Sequence, residues 1–121
     1  VWQLQQRLGA VDNYDPAVGH KNWINAVAVV DAHTIVTGSR DCTAIVWHKD
    51  AEGVWQFQQR LGAVRNQNPS AGHTAPIFAV AVVDGDTIVT GSDDRTAIVW
   101  RRDIEGYFAP QLQAQAAADG V

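Results

Sequence analysis

The stretch TIVTGSRDCTAIVW, residues 34–47, returns 53 residues later as TIVTGSDDRTAIVW, residues 87–100. A repeat of this length decides the architecture, because each copy must be one supersecondary unit that packs against its neighbour. Working outward, residues 1–53 and 54–106 agree at 36 of 53 positions. The agreement takes in VWQ at Val1 and Val54, QQRLGAV at Gln5 and Gln58, and AVAVVD at Ala26 and Ala79. The seventeen differences, Trp23 against Pro76 and Asn25 against Phe78 among them, have the character of drift after a duplication.

Each unit reads as four short strands separated by turns, with no helical period. Trp2 to Leu8 alternates, with Trp2, Leu4 and Leu8 on one side and Gln3, Gln5 and Arg7 on the other, a half-solvated pattern suited to an outer strand. Its counterpart is Trp55 to Leu61. Ile24 to Val30 and Ile77 to Val83 are small or β-branched almost throughout, and predict a strand buried on both faces. Asp31-Ala32-His33 and Asp84-Gly85-Asp86 form tight hairpins, the Asp-Gly pair favouring positive φ. Thr34 to Ser39 (Thr87 to Ser92) and Thr43 to Trp47 (Thr96 to Trp100) complete the set, and the fold class is all-β.

These units resemble the WD-repeat family. The resemblance rests on Gly19-His20 and Gly72-His73, on the turns Ser39-Arg40-Asp41-Cys42-Thr43 and Ser92-Asp93-Asp94-Arg95-Thr96, and on Trp47 and Trp100. It covers residues 1 to about 103. It implies β-propeller blades of four antiparallel strands, and a buried network of His20, Thr37, Asp41 and Trp47, repeated as His73, Thr90, Asp94 and Trp100. Two departures stand out. His48 and Arg101 replace the aspartate that follows the tryptophan in the family, and the 53-residue period exceeds the usual ~40–45. The excess lies in the loop from Gly9 to Gly19 (Gly62 to Gly72), a place to look for function.

A carboxylate, an imidazole and a hydroxyl in each copy also fit a hydrolase. The network is the better account, because four buried polar groups satisfy one another where an unpaired one costs about 1–3 kcal/mol. No catalytic residue, cofactor or metal site is therefore expected. His33 faces Asp86 in the alignment, which argues against a repeated metal site, and Cys42, aligned with Arg95, is expected to be an incidental exposed thiol. Trp23 sits at the mouth of the inner strand, where the resemblance implies partner contacts, and is a candidate contact residue, the rival reading being local loop packing; Arg40, Phe78 and Asp93 are the other candidates.

The single cysteine allows no disulfide within the chain and points to a reducing, cytoplasmic setting. Net charge −4 from interspersed acids and bases argues against nucleic acid and anionic membranes as partners. The apolar run from Ala26 to Val30 is too short to span a bilayer, and the first residues lack a signal-peptide build.

Propellers close with typically 4–8 blades, each burying its faces against neighbours. Two blades therefore predict a homo-oligomeric ring, with eight blades from four chains favoured and six from three next. The expected division is 1–10 as an outer strand given to the neighbouring protomer, 19–63 as blade 1, 72–103 as a three-stranded blade 2, and 104–121 as a tail. Trp2, Leu4 and Leu8 would be the clasp, joined to the open edge of the next protomer by strand exchange. The rival strand, Tyr107 to Leu112, is interrupted by Pro110, and the Ala- and Gln-rich residues from Gln113 on read as frayed or a short helix. The family resemblance implies a protein-binding scaffold without enzymatic activity. The alternatives are a multivalent carbohydrate-binding ring and a natural or engineered piece of a longer propeller.

Overall fold

The computed structural model describes residues 2–9, 19–62 and 72–115. Two four-stranded antiparallel sheets follow one another along the chain. The first contains β1 (Ile24–Asp31), β2 (Thr34–Ser39), β3 (Ala44–Lys49) and β4 (Trp55–Leu61). The second contains β5 (Ile77–Asp84), β6 (Thr87–Ser92), β7 (Thr96–Arg102) and β8 (Phe108–Gln115). Each is a simple meander, in the orders β1-β2-β3-β4 and β5-β6-β7-β8. Registers repeat as the sequence does: Val36 faces Val46 as Val89 faces Val99, and both outer pairings carry an irregularity just before the tryptophan, between Val46 and Trp47 and between Val99 and Trp100.

The core is shared. Val36, Ala44, Val46 and Leu61 of the first sheet meet Ile77, Ile88, Ile98, Trp100 and Phe108 of the second, with Val80 and Val82 packed against them. Gly38 makes the approach possible: a methyl there would lie 2.7 Å from Ile77 Cγ2 and 2.9 Å from Val80 Cγ2, closer than carbon atoms approach.

Several expectations need correction. Blade 2 has four strands, and its outer strand is the chain's own tail: β8 runs through Gln115 and pairs with β7 along its length. An Asp-x-Glu-Gly turn explains this. Asp50 Oδ1 accepts from the Glu52 and Val54 amides, Gly53 donates to the Asp50 carbonyl, and Gly53 takes φ 84°. Asp103 does the same with Glu105, Tyr107 and Gly106, whose φ is 92°. The two turns fold the chain back identically, whatever strand follows. Pro110 is tolerated because it faces Trp100 at the irregularity, where ladder pairing is already broken.

Residues 2–8 form no strand in this structure, so the N-terminal segment does not complete a sheet within the chain. Trp2 and Leu4 are exposed. The inner strands are not buried on both faces, since Val27, Val29, Phe78 and Val83 are exposed. An inner strand is the edge of its sheet, and among the described residues no sheet covers the outward face of β1. Gly85 does not adopt positive φ; the hairpins turn instead on Asp31 and Asp84, whose carboxylates accept the amides of His33 and Asp86. Among the described residues, the non-glycine ones with positive φ are Cys42 (φ 79°) and Arg95 (φ 72°), one in each β2–β3-type turn. Cys42 is buried rather than exposed, lying among Ser39, Asp41 and Thr43, which are buried too.

Candidate functional site

The polar groups quoted from the repeats converge at one end of each sheet. In the first, Trp47 Nε1 donates to Thr37 Oγ1 (2.9 Å), Thr37 Oγ1 lies 2.7 Å from His20 Nε2, and His20 Nδ1 lies 3.0 Å from Asp41 Oδ2. In the second, the same distances are 2.8, 2.8 and 3.0 Å for Trp100, Thr90, His73 and Asp94. One run of donors satisfies every atom: indole N–H to hydroxyl oxygen, hydroxyl O–H to Nε2, and Nδ1–H to carboxylate. The tautomer is assigned from that network.

The carboxylate holds the turn as well. Asp41 accepts from the amides of Lys21 and Thr43 (2.9 Å each) and from Thr43 Oγ1 (2.6 Å), and Asp94 does the same with Thr74 and Thr96. Burial alone would raise the Asp41 pKa. The hydrogen bonds from His20, Thr43 and Lys21 outweigh it and hold the carboxyl well below the usual carboxylate range. Asp94 is lowered too, burial being outweighed by Thr96, Thr74 and His73. Both imidazoles are almost wholly buried. A general base must be within hydrogen-bond reach of its substrate, and here both ring nitrogens are occupied inside the protein.

One member of the network was missed. Arg60 of β4 donates to Thr43 Oγ1 (3.0 Å) and to the Gly19 carbonyl (2.7 Å), and lies 3.7 Å from Asp41. Its QQRL setting signalled only an outer strand. The clue was register: Arg60 faces Ile45 on β3, beside the turn that Asp41 organises.

The candidate contact residues share the end where these turns lie. Arg40 N donates to the Trp23 carbonyl and Asp93 N to that of Pro76, which ties each β2–β3-type turn to the entry of its inner strand. Trp23 is 70% exposed, and the Arg40 guanidinium lies 5.2 Å from its ring centroid. Phe78 is 55% exposed at the entry of β5, and Arg40 and Asp93 are both exposed. The structure thus places these four at one end but records no contact between Arg40 and Asp93. The long loops from Gly9 to Gly19 and Gly62 to Gly72 fall for the most part outside the described residues.

At the opposite end an open cleft is lined by Asp31, Asp86, Arg101, Arg102, Asp103 and Ile104. Arg102 spans it, donating to the Gly85 carbonyl and pairing with Asp31 at 3.3 Å. His33 and His48 lie near each other there, 6.3 Å between ring centroids. Among the described residues, no group of three or more His, Cys, Asp or Glu is placed to hold a metal ion. No helix of the described residues is long and apolar enough to cross a membrane.

The family model described as "WD domain, G-beta repeat" matches residues 15–48 and 66–101, together more than half of the chain. A mitochondrial division protein 1 of Schizosaccharomyces pombe is 31% identical over 91 residues, 68% of this chain and 14% of that protein. A ribosome biogenesis protein WDR12 homolog of Drosophila virilis is 32% identical over 111 residues, 88% of this chain and 26% of that protein. The chain therefore spans about a quarter or less of the length of these relatives. Among solved structures, the WD40 β-propeller domain of Doa1 is similar at 21% identity and a TM-score of 0.39, covering 69% of this chain and 38% of that one.

Proposed function

The chain belongs to the WD-repeat family, and on that premise we propose that it is a non-enzymatic protein-binding module whose partner docks at the end carrying Trp23, Arg40, Phe78 and Asp93. The carrying observation is Trp23, largely exposed with Arg40 over its ring and the exposed Phe78 on the adjacent inner strand. Large aromatics and arginine dominate binding energy at protein interfaces. An exposed tryptophan at a strand entry, with no core to fill, is of that kind. The relatives are a mitochondrial division protein and a ribosome biogenesis protein, and what they share with this chain is the repeat. That favours a scaffold whose loops change partner over a constant frame.

The finer reading is a ring closed by copies of the chain, four chains and eight blades favoured over three and six. The exposed apolar residues of β1 support it, because a blade face left in water is a large apolar patch.

The test is affinity capture of partners on wild type and on Trp23→Ala. One stoichiometric protein retained by wild type and weakened at least about ten-fold by the substitution, with circular dichroism unchanged, is expected. Capture indifferent to Trp23 and Phe78 overturns the placement. Selective binding on a glycan array in place of a protein overturns the partner class.

A further inference from the structure

We propose that the outward face of β1 and the outward face of the second sheet are two halves of one interface, and that a second copy of this chain docks across them head to tail. The proposal deepens the ring reading and rests on it.

The contact already made within the chain is the template. Ile77 and Val80 of β5 close over Gly38. Moved back by one repeat, Ile77 and Val80 become Ile24 and Val27, and Ile24 is 49% exposed where Ile77 is fully buried. Moved forward, Gly38 becomes Gly91, where a methyl would meet only the Ala79 Cβ, at 3.9 Å. The described residues thus leave knobs uncovered on one side and a socket uncovered on the other.

Burial around the socket agrees. Thr34, Val36, Ser39, Ala44 and Val46 are buried, and their counterparts Thr87, Val89, Ser92, Ala97 and Val99 are each only partly covered. Among the described residues, a sheet lies over the first set and none over the second, and the identical residues differ in burial accordingly.

Charge follows the same translation. Arg102 reaches from the second sheet to Asp31 of the first, and the counterparts are Lys49 and the exposed Asp84. Docking brings Lys49 of one copy to Asp84 of the other, so the sign is complementary. One contact does not carry over: Asn25 donates to the Ile77 carbonyl, and Phe78 stands at the Asn25 position.

The outer lane is marked as well. Gln59 bonds both backbone edges of Phe108, accepting from its N–H and donating to its carbonyl, and Gln6 does the same to Trp55. Residues 2–8 therefore lie where the outer strand of a preceding blade would run. A docking copy brings its own β8 into that lane. β8 is paired along its length and tethered by a tight turn, whereas a single exposed glutamine amide holds the N-terminal segment, so the segment gives way.

Sedimentation velocity from about 1 to about 100 µM is the assay, spanning affinities around the micromolar range. Wild type should sediment as a reversible, concentration-dependent assembly of closed mass. Gly91→Val and Val27→Lys, at positions open in the single chain, should keep its urea midpoint at low concentration and weaken association more than about ten-fold. Asp84→Lys should weaken it by about three- to ten-fold, and Lys49→Asp in the same chain should restore it. Ile104→Ser, in the fully exposed β7–β8 turn, should change nothing.

Deletion of residues 1–9 should leave association at least as tight. A folded monomer at every concentration overturns the proposal, as does association untouched by Gly91→Val and Val27→Lys, or its loss on deleting residues 1–9, which would mean strand exchange. A monomer that still binds a partner through Trp23 fails this proposal together with the ring reading and leaves the platform reading standing, association lost on deleting residues 1–9 fails this proposal and leaves the ring, and an assembly that binds no partner fails the platform reading alone.

Discussion

Asp41→Asn tests the buried network most directly. Oδ2 receives His20 Nδ1 and the Lys21 amide, and Oδ1 receives the Thr43 amide and hydroxyl. An amide keeps one oxygen, so whichever way it turns, its NH2 faces two donors. Each stranded buried donor costs about 1–3 kcal/mol, and the Thr43 hydroxyl can relieve one by rotating. Loss of the charge opposite Arg60 adds to this, and the total is about 3–4 kcal/mol, within the range for breaking a buried pair.

Urea denaturation at low protein concentration reads this as a lower midpoint with an unchanged slope. The pH dependence supplies a second reading. The folded pKa of Asp41 lies below its ordinary 3.8, so its contribution is fully present above that value and is lost as pH falls through the folded pKa. The gap between wild type and Asp41→Asn should therefore be widest at neutral pH and shrink below pH 3.8. A gap under about 0.5 kcal/mol at pH 7, the size of an ordinary surface substitution, or one that does not shrink in acid, would refute the reasoning.

Arg95→Gly should stabilise the chain by about 1 kcal/mol, because Arg95 is an exposed residue held at φ 72° where glycine carries no steric penalty; a thermal melt checks it. Trp47→Phe and Trp100→Phe each remove the indole donor to a buried threonine and should each lower stability by about 1–3 kcal/mol, read by denaturant titration. Gln59→Leu removes both amide contacts to Phe108 and should destabilise by about 1–2 kcal/mol, with faster hydrogen exchange at the Phe108 amide.

What the sequence carried, it carried through repetition. Two copies of one 53-residue unit made the strands, the turns and the His-Thr-Asp-Trp groupings legible, and β2 and β6 fall at the expected residues. The failures have a common cause, which is that alternation and residue type were asked to do the work of turns. Tyr107 to Leu112 lacks the QQRL pattern and contains proline, so alternation ranks it behind Trp2 to Leu8 as the outer strand, and composition reads Gln113 onward as frayed or a short helix. Yet Asp-x-Glu-Gly stands at 50–53 and again at 103–106, and a turn built on an aspartate and a left-handed glycine dictates a hairpin. The inner strands misled in another way. Their apolar composition is real, but burial is a property of neighbours, and β1 has one covered face. Arg60 went unremarked because long-range register, which composition does not encode, brings it beside the Asp41 turn, and Cys42, expected to be exposed, is buried in that turn.

The burial asymmetry also bears on why the repeat is so regular. The apolar residues that close over the glycine at the sheet-to-sheet contact are identical in the two copies even where one set is exposed: Ile24 and Val27 match Ile77 and Val80, and Gly38 matches Gly91, whereas the polar contacts from Asn25 to Ile77 and from Arg102 to Asp31 involve positions where the copies differ. Most differences within the sheets lie toward their two ends, at Trp23 against Pro76, Asn25 against Phe78 and Arg40 against Asp93 at one end and at His33 against Asp86, His48 against Arg101 and Lys49 against Arg102 at the other. A surface isoleucine and a roomy strand glycine have no reason of their own to be identical. They acquire one if each is half of a contact repeated around a ring, since any substitution would then have to fit both an intrachain and an interchain neighbour. The end of the sheets has no such constraint, and there one copy can carry a tryptophan under an arginine while the other carries a proline beside an aspartate. Constant and variable positions are thus separated along the length of each strand, the body repeated in both copies and the ends differing between them.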